Sequence, residues 1–134
     1  MKHLAPILFL AFSTLAHGKE FSMLDDLDSL QWKNRIIIIN ETGNEKDILA
    51  LLGEHTAGID DRDIIWFIFK QDSVFSNYPG KLSDDFSNRT HERYDIGKSK
   101  VTLIGKDGGI KSHYHRVNLE AIFSDIDAMP MRQY

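Results

Sequence analysis

The sequence predicts an α/β protein whose central sheet mixes parallel and antiparallel strands. Residues 36–39 and residues 64–69 are continuous apolar runs rich in β-branched and aromatic side chains, a pattern typical of strands covered on both faces. The segment between these runs has the apolar spacing of a helix. Residues 101–114 contain two short strand-like runs around an Asp-Gly turn, which predicts a β-hairpin. A βαβ unit followed by a hairpin therefore organises the chain.

The first half of the chain contains two predicted helices. Residues 21–31 carry leucines at every third position, with Ser22 as a candidate N-cap, which indicates a short first helix. Asn44 is a favourable N-cap for the crossover helix, which we expect to end near His55 and to exit through Ala57-Gly58. Short connections between strand, helix and strand predict a parallel pair with a right-handed crossover.

The second half adds a loop, a helix and the ββα unit. Residues 71–83 contain Pro and Gly without apolar periodicity, so we expect a loop there, followed by a helix over residues 84–94. Asn118 is expected to cap a last amphipathic helix, which Pro130 ends. The strand at residues 110–114 is expected at an edge of the sheet. A βαβ unit joined to a ββα unit is the thioredoxin-like arrangement.

Composition limits the chemistry that this chain can perform. Its 134 residues are 42% apolar and 27% charged, as expected of one globular domain. The net charge of −4, without a basic run, argues against nucleic-acid binding. The chain has no cysteine, which excludes disulfides, thiolate catalysis and thiolate metal sites. Thiol oxidoreductase activity is therefore excluded.

The N-terminal segment predicts export. Residues 1–18 combine a basic start, an apolar run and small residues at positions 16 and 18, the pattern of a cleavable signal peptide. The apolar run over residues 4–15 is shorter than the roughly 20 residues that span a bilayer. We therefore expect residues 19–134 to form a single periplasmic or secreted domain without a stable membrane span.

Several short motifs together resemble a known family. They stand before the two apolar strands, in the hairpin and at the C-terminal end of the chain. The residues that carry the resemblance are Arg35, Arg62, Asp63, Gly105, Lys106, Asp107, Gly108, Gly109, Lys111, Asp127, Met129, Pro130, Met131 and Arg132. The chain from residue 19 onward resembles a thioredoxin- or peroxiredoxin-like domain of unknown function. That domain occurs in short exported bacterial proteins and in secreted animal proteins of the DUDES group, such as the sushi-repeat-containing proteins and equarin. The resemblance implies a thioredoxin-like fold and brings no established reaction.

Both parts of a thioredoxin redox site are absent from this chain. In thioredoxins the redox cysteines follow the first central strand, where this chain has residues 41–44, Glu-Thr-Gly-Asn. Their cis-proline precedes the third strand, where this chain has residues 98–100, Lys-Ser-Lys. The resemblance therefore implies the fold without the redox function.

His113 and His115 are candidate metal ligands. Alternate residues of a strand point to one face, so two imidazoles at this spacing could bind one metal ion. The candidates for a third ligand are His91, Glu92 and Asp107. Lys111 shares the predicted face with both histidines, which favours a solvated surface over a metal site.

The glycine-rich turn and two arginines are interpreted as structural. Residues 105–109 are followed by a strand rather than a helix, which indicates a hairpin turn and not a phosphate-binding loop. Arg35 and Arg62 precede the two parallel strands and therefore lie at the same end of the sheet. Ligands of α/β proteins usually bind at the opposite end. We expect a structural role for the two arginines, with Asp63 or Asp127 as partner.

Three hypotheses of function follow from the sequence. The first is a non-catalytic exported module that needs no cofactor and binds a protein or a small molecule through residues 71–83 or 129–134. The second is a metal-dependent enzyme or metal-binding protein that uses His113 and His115. The third is a thiol-less relative of a redox protein, retained as a chaperone or decoy. The sequence offers no convincing catalytic set, which favours the first hypothesis and assigns no catalytic residue.

Overall fold

A five-stranded mixed sheet forms the centre of the protein. The computed structural model describes residues 21–40 and 43–130, with the backbone alone at Lys98. The strands are β1 (Arg35–Asn40), β2 (Ile64–Phe69), β3 (Val74–Ser76), β4 (Val101–Ile104) and β5 (Ile110–Tyr114). Their order in the sheet is β3-β2-β1-β4-β5. Strands β1 and β2 are parallel, and every other neighbouring pair is antiparallel.

Helices cover both faces of this sheet. The described residues contain four α-helices and two 3-10 helices. The α-helices are α1 (Glu45–Glu54), α2 (Thr56–Asp61), α3 (Phe86–Tyr94) and α4 (Leu119–Asp127), and the 3-10 helices are Leu27–Leu30 and Ile96–Lys98. Apolar side chains of α1, α2 and α4 pack on one face of β1, and those of α3 and both 3-10 helices pack on the other. No helix within residues 21–40 and 43–130 has the length and apolar character needed to cross a membrane.

The run of isoleucines in β1 is buried on both sides. Ile37 and Ile39 belong to one apolar core, Ile36 and Ile38 to the other, and none is more than 2% exposed. Successive side chains of a strand point to opposite faces, so a strand covered by helices on both sides needs an unbroken apolar run. The predicted mixed sheet, its hairpin and the edge position of β5 are confirmed.

The first predicted helix is shorter than expected and has a different cap. Only Leu27–Leu30 is helical, and it forms a 3-10 helix. Its N-cap is Asp26 and not Ser22, since Asp26 Oδ1 accepts a hydrogen bond from Asp28 N at 2.9 Å. The preceding segment is extended because Leu24 N donates to Lys81 O at 2.8 Å. Those contacts are long-range, and the leucine spacing does not reveal them.

Two further predictions are corrected by packing. Ala57-Gly58 does not leave the helical region but lies inside α2, because a second short helix buries Ile59. The loop predicted over residues 71–83 contains the short strand β3, which pairs with β2 through three residues. A strand of that length is too short to show an alternating pattern. The helix predicted over residues 84–94 begins at Phe86.

The cap of the last helix is confirmed. Ala121 N donates to Asn118 Oδ1 at 3.1 Å, as an Asn N-cap requires. Its buried residues Leu119, Ile122 and Ile126 pack on the sheet. The predicted signal peptide, residues 41–42 and residues 131–134 lie outside the described residues.

Candidate functional site

A surface groove lies at the end of the sheet where β1 begins and β4 ends. Its volume is about 410 Å³. The lining residues come from the start of β1, from the hairpin and from the segment after α4. They are Arg35, Gly105, Lys106, Asp107, Lys111, Met129 and Pro130. Each of these residues is among those that carry the family resemblance. We call this cavity the hairpin groove.

Arg35 is the one charged residue that is buried among the described side chains, at 2% exposure. It opens β1, where its backbone N–H donates to Asp63 O at 2.9 Å. Its side-chain Nη1 donates to Arg62 O at 3.0 Å, which fixes the guanidinium beside the start of β2. A charge taken out of water lowers stability unless it is well bonded. A buried guanidinium on a cavity wall is therefore a costly feature, and such features are frequent at binding sites.

The hairpin turn is held rigidly against the rest of the domain. Within the turn, Gly108 N donates to Gly105 O at 3.0 Å, and Gly108 has a φ of +86°, which favours glycine. From the 3-10 helix side, Gln31 Nε2 donates to Asp107 O at 2.8 Å. From α3, the hydroxyl of Tyr94 donates to Gly108 O at 3.1 Å. These contacts fix the backbone that forms one wall of the groove.

Lys106 joins two residues with unusual backbone angles. Trp32 N donates to Lys106 O at 2.6 Å, and Lys106 Nζ contacts Asp63 Oδ2 at 2.8 Å. Trp32 has a φ of +69° and Asp63 a φ of +55°, both in the left-handed region that non-glycine residues avoid. Such positions cost about 1–3 kcal/mol each and cluster at functional sites. Trp32 is also 63% exposed, so a large exposed aromatic residue lies next to Lys106, which lines the groove.

Lys111 crosses the turn and pairs with Asp107. Lys111 Nζ contacts Asp107 Oδ2 at 2.9 Å, while Asp107 Oδ1 accepts from Gly109 N at 3.0 Å. The hydrogen bond from Lys111 and, after it, the bond from Gly109 lower the pKa of Asp107. A Cβ at Gly105 would lie 2.5 Å from Lys111 Cε. Because Gly105 has no side chain, the Lys111 side chain can pack directly against its backbone.

The wall of the groove that Met129 and Pro130 form is positioned by a bidentate ion pair. Arg62 Nε and Nη2 donate to the two carboxylate oxygens of Asp127 at 3.0 and 2.9 Å. Arg62 Nη1 also donates to Gly58 O at 2.9 Å, and the guanidinium lies 4.2 Å from the ring centroid of Phe123. Because Asp127 ends α4 just before Met129, this pair ties the groove wall to the start of β2. Of the two partners predicted for the arginines, the structure pairs Asp127 with Arg62.

A family model matches residues 26–134, and its description is a domain of unknown function, DUF4174. The chain belongs to this family. The match includes every residue that lines the hairpin groove. No curated protein and no solved structure matches the DUF4174 chain significantly. The resemblance to a domain of unknown function is thus confirmed, whereas the relation to thioredoxin-like proteins and to the DUDES group stays a prediction.

The two histidines of the DUF4174 domain gain no third metal ligand from the described residues. Strand β5 ends at Tyr114, so His115 lies beyond the strand and the alternation argument does not apply to it. His113 is exposed, and its Nδ1 lies 3.3 Å from Thr102 Oγ1. Within residues 21–40 and 43–130, no three His, Asp or Glu side chains are placed to hold a metal ion. The candidate third ligands therefore do not complete a site there.

The structure places the two arginines in contact but in different surroundings. Arg62 forms the ion pair with Asp127 that was one of the expected pairings, whereas Arg35 donates to Arg62 O and lines the hairpin groove. Gln31, Trp32 and Tyr94 were not predicted as site residues, because they act through hydrogen bonds to backbone carbonyls of the hairpin turn. The available signal was the charged and glycine-rich motif in the turn of the predicted hairpin, together with an arginine at the start of β1.

Proposed function

We propose that this domain is an exported, non-redox binding module and that the hairpin groove is its binding site. The observation that carries the proposal is the identity of the groove lining, because every lining residue is one of the family-motif residues. Residues that only fill a core are apolar, whereas this set is mostly charged or glycine. Ligand sites combine apolar surface with a few fixed polar or charged groups, and this lining contains both.

The groove chemistry supports binding rather than nucleophilic catalysis. Its lining supplies N–H donors, one carboxylate and the apolar surface of Met129 and Pro130. Among the described residues that line it, none carries a hydroxyl, thiol or imidazole group. Nucleophilic catalysis requires one of a small set of activated groups, usually with a base beside it. The lysines of the groove are instead ion-paired, Lys106 with Asp63 and Lys111 with Asp107.

The strand arrangement supports a thioredoxin-like fold for this module. Strands β1 and β2 are parallel and are joined by α1 and α2, while β4 and β5 form a hairpin that α4 follows. The order β2-β1-β4-β5 is the one expected for βαβ and ββα units in a single sheet, and β3 is an addition beside β2. At the end of β1, where thioredoxins place cysteines, Asn40 Nδ2 donates to Ser99 O at 2.8 Å. Because the chain has no cysteine, a binding role fits this fold better than a redox role.

Export and the relation to the DUDES group are part of this proposal. The pattern of residues 1–18 supports cleavage by signal peptidase. N-terminal sequencing of the protein recovered from fractionated cells tests it. We expect the recovered chain to begin at Lys19 and to be found outside the cytoplasm. A full-length chain in the cytoplasmic fraction would contradict export without affecting the groove.

The binding site can be mapped without knowing the ligand. We suggest recording ¹H–¹⁵N correlation spectra of the protein with a small library of acids, amines and neutral fragments. We expect the amide shifts to concentrate at residues 105–111 and 129–130. Shifts concentrated at another surface would contradict the assignment of the site.

A matched pair of variants controls for nonspecific effects. Met129→Glu introduces a carboxylate into the groove, whereas Met23→Glu makes the same change at a residue that is 56% exposed and lies outside the groove. We expect only Met129→Glu to change fragment binding. Equal effects of the two variants would show that the groove is not the binding surface.

A further inference from the structure

We infer that the hairpin groove selects an uncharged small molecule with an apolar body, and that its internal ion pairs disfavour charged ligands. This inference rests on the proposed function of the groove and adds the chemical class of its ligand. Three observations lead to it. The ionic groups of the lining are already held by the protein, the surface between them is apolar, and the volume suits a small molecule.

Both lysines of the groove have an acidic partner. Lys106 Nζ lies 2.8 Å from Asp63 Oδ2, and Lys111 Nζ lies 2.9 Å from Asp107 Oδ2. The second carboxylate oxygen of Asp107 accepts a hydrogen bond from Gly109 N at 3.0 Å. Each ammonium charge is thus matched by a carboxylate of the protein itself, so neither lysine requires an anion from outside.

Arg35 is likewise engaged within the protein. Its Nη1 donates to Arg62 O at 3.0 Å, its Nε is buried, and the residue as a whole is 2% exposed. Arg35 also takes part in a further interaction in the structure. A guanidinium that is covered in this way presents almost no surface to a ligand. We therefore assign Arg35 to the support of the groove and not to contact with the ligand.

The surface between these ionic groups is apolar. Met129 contributes a thioether side chain to it and Pro130 a pyrrolidine ring. The Lys111 side chain lies against Gly105, since a Cβ at that glycine would be 2.5 Å from Lys111 Cε and 3.3 Å from its Cγ. Lysine side chains can expose their methylene groups in this way while the charged end stays with its partner. The groove thus offers mainly carbon atoms to a ligand.

A charged ligand would lose water in this groove without gaining a partner. Removing a charge from water costs free energy unless the charge is paired, and here a partner becomes available only if an existing ion pair breaks. An uncharged ligand avoids this cost, and its apolar body gains from burial against Met129 and Pro130. The volume of about 410 Å³ lies within the range of about 300–1,000 Å³ that small-molecule sites occupy.

Benzyl alcohol, benzoate and benzylammonium form a probe set that isolates the charge of the ligand. The three molecules share a phenyl ring and differ in one polar group, which is neutral, negative or positive. We suggest titrating the protein with each probe at neutral pH while following the groove amides by NMR. We expect benzyl alcohol to bind at least about tenfold more tightly than either ion, because only the ions lose solvation of a charge.

Variants that break one ion pair test whether the pairs set this preference. Asp107→Asn leaves Lys111 without its partner, so the affinity for benzoate relative to benzyl alcohol should rise about two- to fivefold, the effect of one partly exposed ion pair. Lys111→Met leaves Asp107 without its partner, so benzylammonium should gain by a similar factor. Glu45→Gln breaks the ion pair with Lys70, which lies outside the groove, and should leave the preference unchanged. A loss of stability alone would not favour opposite charges in the two groove variants.

The salt dependence of the unaltered protein provides a second measurement if either groove variant does not fold. A positive charge open to the groove would bind benzoate more tightly at low ionic strength, where screening is weak. We expect the benzoate affinity not to rise when NaCl is lowered from about 0.5 M to about 0.05 M. A rise would show that the groove offers an open positive charge and would overturn the inference.

Each remaining outcome is decisive. Benzoate or benzylammonium binding in the groove as tightly as benzyl alcohol overturns the inference and leaves the proposed binding site intact. A probe preference that is the same in both groove variants as in the unaltered protein overturns the role of the ion pairs, and with it the inference. Absence of groove shifts with every probe and fragment overturns both proposals. Groove shifts that follow protein concentration alone would mean that a second copy occupies the groove, and would overturn the inference.

Discussion

The ion pair between Arg62 and Asp127 allows a quantitative test of how the groove wall is held. The two side chains form a bidentate pair at 3.0 and 2.9 Å, which links the start of β2 to the end of α4. Arg62→Met removes the charge and keeps an unbranched side chain, and Asp127→Asn removes the partner charge with little change in shape. Together with the double variant, these changes form a double-mutant cycle.

The expected magnitudes follow from the exposure of the two side chains. Arg62 is 16% exposed and Asp127 46% exposed, so the pair is partly screened by water. Exposed pairs contribute about 0.2–1 kcal/mol, and the bidentate geometry places this pair at about 1 kcal/mol. Arg62→Met also removes the bond to Gly58 O and the cation–π contact with Phe123, which brings its total cost to about 2 kcal/mol. We therefore expect costs of about 2 kcal/mol for Arg62→Met, about 1 kcal/mol for Asp127→Asn and about 2 kcal/mol for the double variant.

Urea unfolding followed by tryptophan fluorescence measures these free energies. The coupling energy should be about 1 kcal/mol at low salt and should fall substantially at 1 M NaCl, where the screening length is about 3 Å. Additive single-variant effects, within about 0.3 kcal/mol, would refute the conclusion that this pair holds the end of α4 in place.

Three further properties can be tested on single residues. Gly108→Ala should lower the free energy of unfolding by about 1 kcal/mol, because the φ of Gly108 is +86°. Gly53→Ala within α1, where no atom lies near the added Cβ, should raise the free energy of unfolding by about 0.5 kcal/mol. Equal urea midpoints for the two variants would contradict both statements. Burial and, after it, a hydrogen bond to an aspartate on α4 raise the pKa of Tyr114 from 10.0 to about 12. The folded state thus holds this proton more tightly, so stability should fall between pH 10 and pH 12, and Tyr114→Phe should flatten the fall. The pKa of Asp107 is lowered below 3.8 mainly by Lys111, so its small contribution to stability should be lost as pH falls through the lowered value. Lys111→Met should move the Asp107 pKa upward in an NMR titration, and an unchanged pKa would show that the pairing is absent in solution.

The sheet was predictable because its signals are local. The isoleucines of β1 are apolar on both faces, and both faces are covered. Asn118 caps α4 through a bond to a residue three positions away. Such features depend on neighbouring residues in the chain, which a single sequence displays.

The groove was not predictable because it depends on contacts between distant segments. Lys106 contacts Trp32 and Asp63, and Tyr94 reaches Gly108, with no periodic pattern to indicate either contact. The rule that α/β ligands bind at the carboxyl ends of strands pointed to the opposite end of the sheet. Here the hairpin turn and the segment after α4 extend past the amino ends of β1 and β2, and they build the cavity that this rule does not anticipate.

The assignment of the hairpin groove as a ligand site can be tested most directly by a crystal structure of the protein soaked with the fragments whose addition shifts the groove amides. We predict that a bound fragment lies in the groove and contacts Met129 and Pro130. A fragment bound at another surface, with the groove empty, would contradict this assignment.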